Sequence, residues 1–466
     1  MKAFRLTLIL FTICFSVAAQ AQQSPPAQPP ADRPEESSAT TAAAQKVIHQ
    51  LVAGEFAKVE AQYDQRMAEA LPPGKLGESW PGLIQQEGAF ESITGTQTIR
   101  VQGIDVVKLV CKFANATLDA TVAFDADGKI AGLSFRPHQE SETPWNAPAY
   151  AKPDSFTEQP LTLVNGKFEL PGTLTLPKGD GPFPAVVLVH GSGPHDQDET
   201  IGPNKGFKDL AYGLAAHGIA VFRYTKRTEK YGEKSSDDPA KLTVDDEVVS
   251  DARAAVALVA QQPKINPKQV FLLGHSLGAY LAPRIATGDS QIAGVAILGA
   301  NTKPIEQVIV EQVRYLASKG GAPAEEAAKQ VSSVEAAEKQ IESPDLKPGD
   351  AVSLLGSTTY GAYWLDLRGY DPVKTAAQLK IPILILQGGR DYQVTSANFD
   401  EWNKALAKRK NVTLRSFPDL NHLFMTGEGT STPAEYAKPN HVSADVINAI
   451  ALWVLPGENP GRLIQK

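Results

Sequence analysis

Five residues, Gly274-His275-Ser276-Leu277-Gly278, set a serine between two glycines directly after the apolar run Val270 to Leu273. The pattern G-x-S-x-G says little alone. It says much when it follows a strand and opens a helix, because that is the setting of a nucleophile elbow. The turn is so tight that side chains two before and two after the serine clash, hence the glycines. The serine hydroxyl then stands clear, and the helix N-terminus behind it favours developing negative charge.

A serine hydroxyl needs a base to become a nucleophile. After an elbow the partners follow in the order acid, then histidine. The strand-like run IPILILQGG ends in Arg390-Asp391, and VTLRSF is followed by PDLNHLF, which contains His422. His422 is expected to take the proton from Ser276, with Asp391 fixing its tautomer and stabilising the imidazolium. Asp366, Asp371 and Asp419 are rival acids; two precede the strand and the third is too close to His422. His441 is a rival base at a helix start. Acyl transfer also needs oxyanion donors. The expected pair is the backbone N–H of Leu277 and that of Ser192, in the loop His190-Gly191-Ser192-Gly193-Pro194, with Gly193 the second choice for the latter. The following His195-Asp196-Gln197-Asp198-Glu199 offers one imidazole and no second cluster. It reads as a solvated or lid-facing loop, not a metal site.

These residues need a scaffold. From residue 161 onward apolar strands alternate with helices: PAVVLVHG, IAVFRYT, QVFLLGH, IAGVAILGA, IPILILQGG and VTLRSF, separated by helical stretches. Such runs predict a parallel sheet covered on both faces, with ligands beyond the carboxyl ends of its strands. LTLVNGKFELPGTLTLP precedes it and reads as one antiparallel pair. Residues 301–375 interrupt the pattern. They read as an all-helical insert without a strand of its own, placed to act as a lid or a buttress.

Upstream, residues 41–137 read as a small α+β domain. Val47, Leu51, Phe56, Val59, Tyr63 and Met67 recur at helical spacing; Gly54 splits the run into two helices, and Pro72-Pro73-Gly74 stop it. TQTIRVQG, IDVVKLVCKFAN and LDATVAFDADGKIAGLSF then predict an antiparallel sheet with a hairpin turn at Asp127-Gly128. Helices followed by a curled sheet suggest a cone. Residues 138–160, with four prolines, read as a linker, and residues 22–40 as a flexible tether.

Lys2 and Arg5, the apolar run Leu6 to Val17, and Ala19-Gln20-Ala21 have the three parts of a secretory signal peptide, cut after Ala21. The cut leaves Cys111 as the single thiol, so no internal disulfide and no cysteine metal framework is expected. The formal charge of −7 argues against a nucleic-acid partner. TKRTEKYGEK and LRSFPDLNH read as surface charge. Neither a Walker loop nor a dinucleotide fingerprint occurs.

Together these blocks resemble the α/β-hydrolase superfamily. Within it they resemble secreted bacterial serine esterases carrying an N-terminal DUF3887 domain. LVAGEFAKVEAQYDQRM is similar to the opening helices of that domain, which implies an NTF2-like cone. LVHGSGPHDQDE, AVFRYTKRT, GHSLGAYLAP, LGANTKPIEQVIVEQ, YWLDLRGYDP, ILILQGGRDYQV and DLNHLF are similar to the family's successive blocks. The resemblance carries Ser276, Asp391 and His422 over as the triad. It implies carboxylesterase activity on short-chain acyl esters, without a cofactor. The expected whole is an exported α/β protein. A mostly parallel hydrolase sheet with a helical lid (161–460) follows the small α+β domain. Its expected partner is a small-molecule acyl ester, with no nucleic acid and no membrane segment after signal removal. A homodimer is open to it. A peptidase on the same triad, and an inert binding module, are the competing readings. Dimerisation, shading of the active site and contact with the cell envelope are the tasks open to the N-terminal domain.

Overall fold

A computed structural model describes residues 34–101, 104–137, 145–320 and 324–455. The signal peptide and the first part of the tether lie outside them. The chain divides into two compact units, one ending at Ser141 and the other running from Glu142 onward.

In the first unit, helices α1 (Pro34–Val52), α2 (Phe56–Glu60), α3 (Gln65–Ala70) and α4 (Lys75–Glu87) precede four strands. These are β1 (Phe90–Val101), β2 (Ile104–Phe113), β3 (Thr117–Phe124) and β4 (Ile130–Pro137), paired antiparallel in that order. The helix α1 starts seven residues earlier than the tether reading allows. Proline at a first helical turn has no N–H to lose, so Pro34 opens the helix instead of preventing it. Gly54 sits at φ +73° between α1 and α2, as a break between helices requires. Ala44, Val47, Ile48 and Leu51 on α1 meet Val107, Leu109, Cys111, Ala120 and Val122 of the sheet in one core.

The second unit holds an eight-stranded sheet. It opens with β5 (Phe156–Pro160), then a hairpin of β6 (Leu163–Asn165) and β7 (Phe168–Leu170), then β8 (Gly172–Pro177) and β9 (Phe183–Val189). So the linker expected at 138–160 contains an edge strand. Only Phe156 of FTEQP is buried, so its sequence shows no alternation. The single pair expected over 161–177 is three strands: a separate hairpin plus β8, which joins the main sheet.

A two-residue hairpin, β10 (Thr200–Ile201) and β11 (Asn204–Lys205), leads into α5 (Gly206–Ala216) and β12 (Ala220–Tyr224). Then come α6 (Arg227–Tyr231), a π-helical turn over Asp245–Val249, α7 (Ser250–Ala260), β13 (Ile265–His275), α8 (Leu277–Ala286) and β14 (Ile292–Leu298). The insert follows: α9 (Ile305–Ser318), α10 (Ala324–Glu342), β15 (Ala351–Leu354), β16 (Ser357–Tyr360), α11 (Gly361–Leu367) and α12 (Pro372–Ala376). It is not all-helical, because β15 and β16 form a hairpin around Leu355-Gly356. Val352 is its one buried residue, too little pattern to announce a strand. The chain closes with β17 (Ile383–Gly388), α13 (Ser396–Leu406), β18 (Val412–Phe417) and α14 (Ala444–Val454).

The strand order is β18-β17-β14-β13-β9-β12-β8-β5, with β8 alone running against the rest. Along β9 the side chains alternate between two cores. Ala185, Val187 and Val189 face the one with α7 and α8, while Val186 and Leu188 face the one with α5 and α14. Burial on both faces is why these strands read as unbroken apolar runs.

Candidate active site

Ser276 lies between the last residue of β13 and the first of α8, at φ +52° and ψ −114°. A non-glycine residue in that region is strained, and the surroundings must hold it there. They do. A Cβ on Gly274 would come within 2.2 Å of the Gly278 carbonyl oxygen, and one on Gly278 within 2.2 Å of the Val189 carbonyl oxygen. Only glycines let strand, helix and neighbouring strand approach this closely. The Ser276 N–H donates to the Leu298 carbonyl at the end of β14, 3.0 Å away.

Asp391 follows β17 and His422 follows β18, both buried. His422 Nδ1 donates to Asp391 Oδ2 at 2.7 Å. The other carboxylate oxygen accepts the N–H groups of Gln393 (2.8 Å) and Val394 (2.9 Å), so it is fixed by the turn. With Nδ1 facing a carboxylate, the proton belongs there and Nε2 is left as the base. Gly299, at φ +63°, keeps room for this pair; a Cβ on it would lie 3.4 Å from His422 Nδ1 and 3.5 Å from Asp391 Oδ2. The Ser276 hydroxyl makes no hydrogen bond among the described residues. What links the two sides is His275: its Nε2 donates to the His422 carbonyl at 3.0 Å, and the two rings are 4.8 Å apart.

Leu277 is the first residue of α8, where a backbone N–H has no acceptor within the helix. Gly191 packs against the serine: a Cβ there would lie 3.3 Å from Ser276 Cβ. Ser192 is exposed beside it. The rivals are accounted for elsewhere. Asp366 pairs with Arg284 at 2.7 Å, Asp371 caps α12 by accepting from Lys374 N–H, and Asp419 is exposed. His441 Nδ1 contacts buried Asp209 at 3.1 Å.

Charge behaves differently from the sequence reading in two places. The stretch 195–199 is not simply solvated, since Asp198 and Glu199 are buried. Asp198 pairs with Arg223 at 2.8 Å, while Asp196 closes its own turn on the N–H groups of Asp198 and Thr200. Glu199 Oε1 accepts the Gly191 N–H at 2.6 Å, and Oε2 lies 2.9 Å from His275 Nδ1. Burial opposes the charged form of both groups, but each outweighs that for the other: the Glu199 carboxyl is held down to about 2 and the His275 imidazole is raised. Burial also pushes His190 down to about 3, so that ring is neutral. TKRTEKYGEK is surface charge only in its later part, because Lys226 and Arg227 are buried. Lys226 lies 3.0 Å from Glu247, and Arg227 lies 2.6 Å from Asp251. The signal that hydropathy missed is positional: Lys226 stands just past the carboxyl end of β12, where sheets of this kind carry their sites.

Among the described residues, no three His, Cys, Asp or Glu side chains gather as metal ligands, and no helix is long and apolar enough to cross a membrane. A cavity of about 230 Å³ borders the loop of His422, lined by Asn421, Glu435 and Tyr436 among others; none of the three expected catalytic residues lines it.

Residues 181–429 match the family described as serine aminopeptidase, S33. The chain belongs to that family of hydrolases. Residues 44–133 match DUF3887, a domain of unknown function. The hydrolase is 43% identical over 380 residues to Esterase EstD of Thermotoga maritima, covering 82% of this chain and 87% of that protein. Over 254 residues it is 30% identical to Dipeptidyl aminopeptidase BIII of Pseudoxanthomonas mexicana, 54% of this chain and 32% of that protein. Est1E from Butyrivibrio proteoclasticus superposes with a TM-score of 0.42 at 15% identity, over 66% of this chain and 99% of that one.

Proposed function

We propose that the chain is an exported serine esterase that cleaves short-chain carboxylic esters through an acyl-Ser276 intermediate. The observation that carries this reading is the buried 2.7 Å hydrogen bond from His422 to Asp391. Through His275 it is tied to the strand end that bears a strained serine. His422 Nε2 takes the Ser276 proton as the hydroxyl attacks the ester carbonyl. The oxyanion forms at the N–H groups of Leu277 and Ser192. His422 then returns the proton to the leaving alkoxide, and water, activated by the same nitrogen, releases the acid. The extended similarity to Esterase EstD favours esters over amides. Short acyl chains fit an insert on which, among the described residues, Leu355 is the one exposed large apolar side chain, too little for a lipid-binding face.

Ser276→Ala is expected to abolish hydrolysis of p-nitrophenyl acetate, a loss on the order of 10⁴-fold or more, with the circular dichroism spectrum unchanged. A folded, active variant overturns the assignment. Export rests on the N-terminal sequence alone; a mature protein beginning at Gln22 outside the cytoplasm supports it, and an uncut chain inside argues against it.

The peptidase reading keeps a foothold in the family's description and in the 254-residue similarity to a dipeptidyl aminopeptidase. Parallel assays on p-nitrophenyl esters and aminoacyl anilides separate the two.

A further inference from the structure

Lys226 is a lysine buried beside the candidate oxyanion loop, and its three ammonium donors face three acceptors. Nζ donates to the Gly191 carbonyl at 2.9 Å and the Gly193 carbonyl at 2.9 Å, and lies 3.0 Å from Glu247 Oε1. An ammonium has three N–H groups and no acceptor, so the set is saturated. Its backbone N–H also donates to the His195 carbonyl at 3.0 Å, closing the far end of the same loop.

The consequence follows from peptide geometry. In a trans peptide the C=O of one residue and the N–H of the next point in opposite directions. Lys226 holds the Gly191 carbonyl on its own buried side, so the Ser192 N–H points away from Lys226; Gly191 itself packs against Ser276, a Cβ there lying 3.3 Å from Ser276 Cβ. The Gly191 N–H is committed to Glu199 Oε1 at 2.6 Å and is not free to serve. Gly191 is therefore pinned on both of its peptide planes, and neither plane can rotate without breaking a buried charged contact.

Lys226 is itself held from the insert. Glu247 Oε1 accepts from Thr228 Oγ1 at 3.1 Å, and Oε2 accepts from the Tyr363 hydroxyl at 2.9 Å. Tyr363 belongs to α11. The path runs from the insert hydroxyl to a carboxylate, to an ammonium, to two loop carbonyls.

We propose that Lys226 is the positioning residue of the oxyanion donor, aiming the Ser192 N–H by anchoring the Gly191 and Gly193 carbonyls, and that Tyr363 of the insert sets it through Glu247. The proposal rests on the acyl-serine reading. Lys226 touches no reacting atom; it acts through the loop backbone.

The test compares an ester with its thiono counterpart, in which C=S replaces C=O. An oxyanion site built for oxygen stabilises the sulfur analogue poorly, so the oxo/thiono ratio of kcat/KM measures the alignment of the donors. Lys226→Met is expected to lower kcat on the oxo ester about 10²-fold, the scale of losing one donor, with KM changed less than about threefold, and to shrink the oxo/thiono ratio about tenfold or more. Tyr363→Phe, which removes one hydroxyl and leaves Lys226 in place, is expected to shift kcat and the ratio the same way by about three- to tenfold. An equal slowing of both esters means general loosening of the fold and overturns the proposal, as does an unchanged kcat. Should Lys226→Met fail to fold, Tyr363→Phe decides alone: an unchanged ratio overturns it. Labelling of Ser276 by a fluorophosphonate, run alongside, keeps the two levels apart. A wild type that is labelled at Ser276, with variants of unaltered ratio, sinks the role of Lys226 only. Hydrolysis without labelling at Ser276 sinks the acyl-serine reading beneath it.

Discussion

Two charged stretches meet opposite fates in this chain. In TKRTEKYGEK the first two charges, Lys226 and Arg227, are 2% and 5% exposed, and each is matched by a buried carboxylate. In AEEAAKQVSSVEAAEKQIE, the helix α10, the charges stay in water. Its buried residues are Ala327, Val334, Ala337 and Ile341, at helical spacing, while the Lys329–Glu325 pair is 75% and 82% exposed. The difference is one of place, not of kind. A charge just past the carboxyl end of a parallel strand lies under the loops that build a site. A charge on the outer face of a helix lies under nothing. The first must be paired to exist at all, and the second contributes little.

The comparison can be broken most directly at Arg227. Arg227→Ala leaves Asp251 buried without its bidentate partner, with contacts of 2.6 and 2.9 Å lost. A loss of about 3–5 kcal/mol in urea unfolding is expected. A loss below about 1 kcal/mol would mean that Asp251 does not need Arg227 to remain buried.

A middle-sized effect sharpens the comparison through pH. The Glu199 carboxyl is lowered to about 2 and the His275 imidazole is raised. The carboxylate's contribution to stability is complete above its unfolded value of about 4.5 and fades as pH falls toward 2. The imidazolium's is complete below its unfolded value of about 6.5 and fades as pH rises through its raised folded value. The stability difference between wild type and Glu199→Gln should therefore peak between about pH 4.5 and 6.5, at about 1–3 kcal/mol. A difference independent of pH from 2 to 9 would show that the pair carries no charge of its own.

The smallest effect belongs to α10. Lys329→Ala is expected to move the melting temperature by no more than about 1 °C, because its partner is equally solvated. A large shift would contradict the contrast from the other side.

The same contrast explains what could be read beforehand. The strands β9, β13, β14 and β17 show in the sequence because both faces are apolar, and the turn residues at their ends then fall where chemistry is expected. Ser276 and Asp391 come into view as candidates for that reason, each following one of these strands; His422 follows β18, where Phe417 alone is buried, and comes into view only from the expected order of acid, then histidine. The edge strand Phe156–Pro160 and the hairpin Ala351–Tyr360 each bury a single residue, so no period of two exists to be read. Glu199, Lys226 and Glu247 escape for a third reason. Hydropathy sends every charge to the surface, and only three-dimensional pairing can justify keeping one inside. His275 carries no assignment in the sequence pattern, where it is the variable position between a glycine and the serine. Its service to the His422 carbonyl appears only when strand ends are brought side by side.

The lone described thiol has a further bearing. Cys111 is fully buried on β2, and burial pushes it up to about 12, so a reactive thiolate is scarcely formed at any working pH. Oxidants find nothing there to couple, and reductants find no bridge to cut. The covalent wiring of the described chain is thus the same in a reducing compartment as in an oxidising one, and crossing from one to the other asks nothing of its redox chemistry.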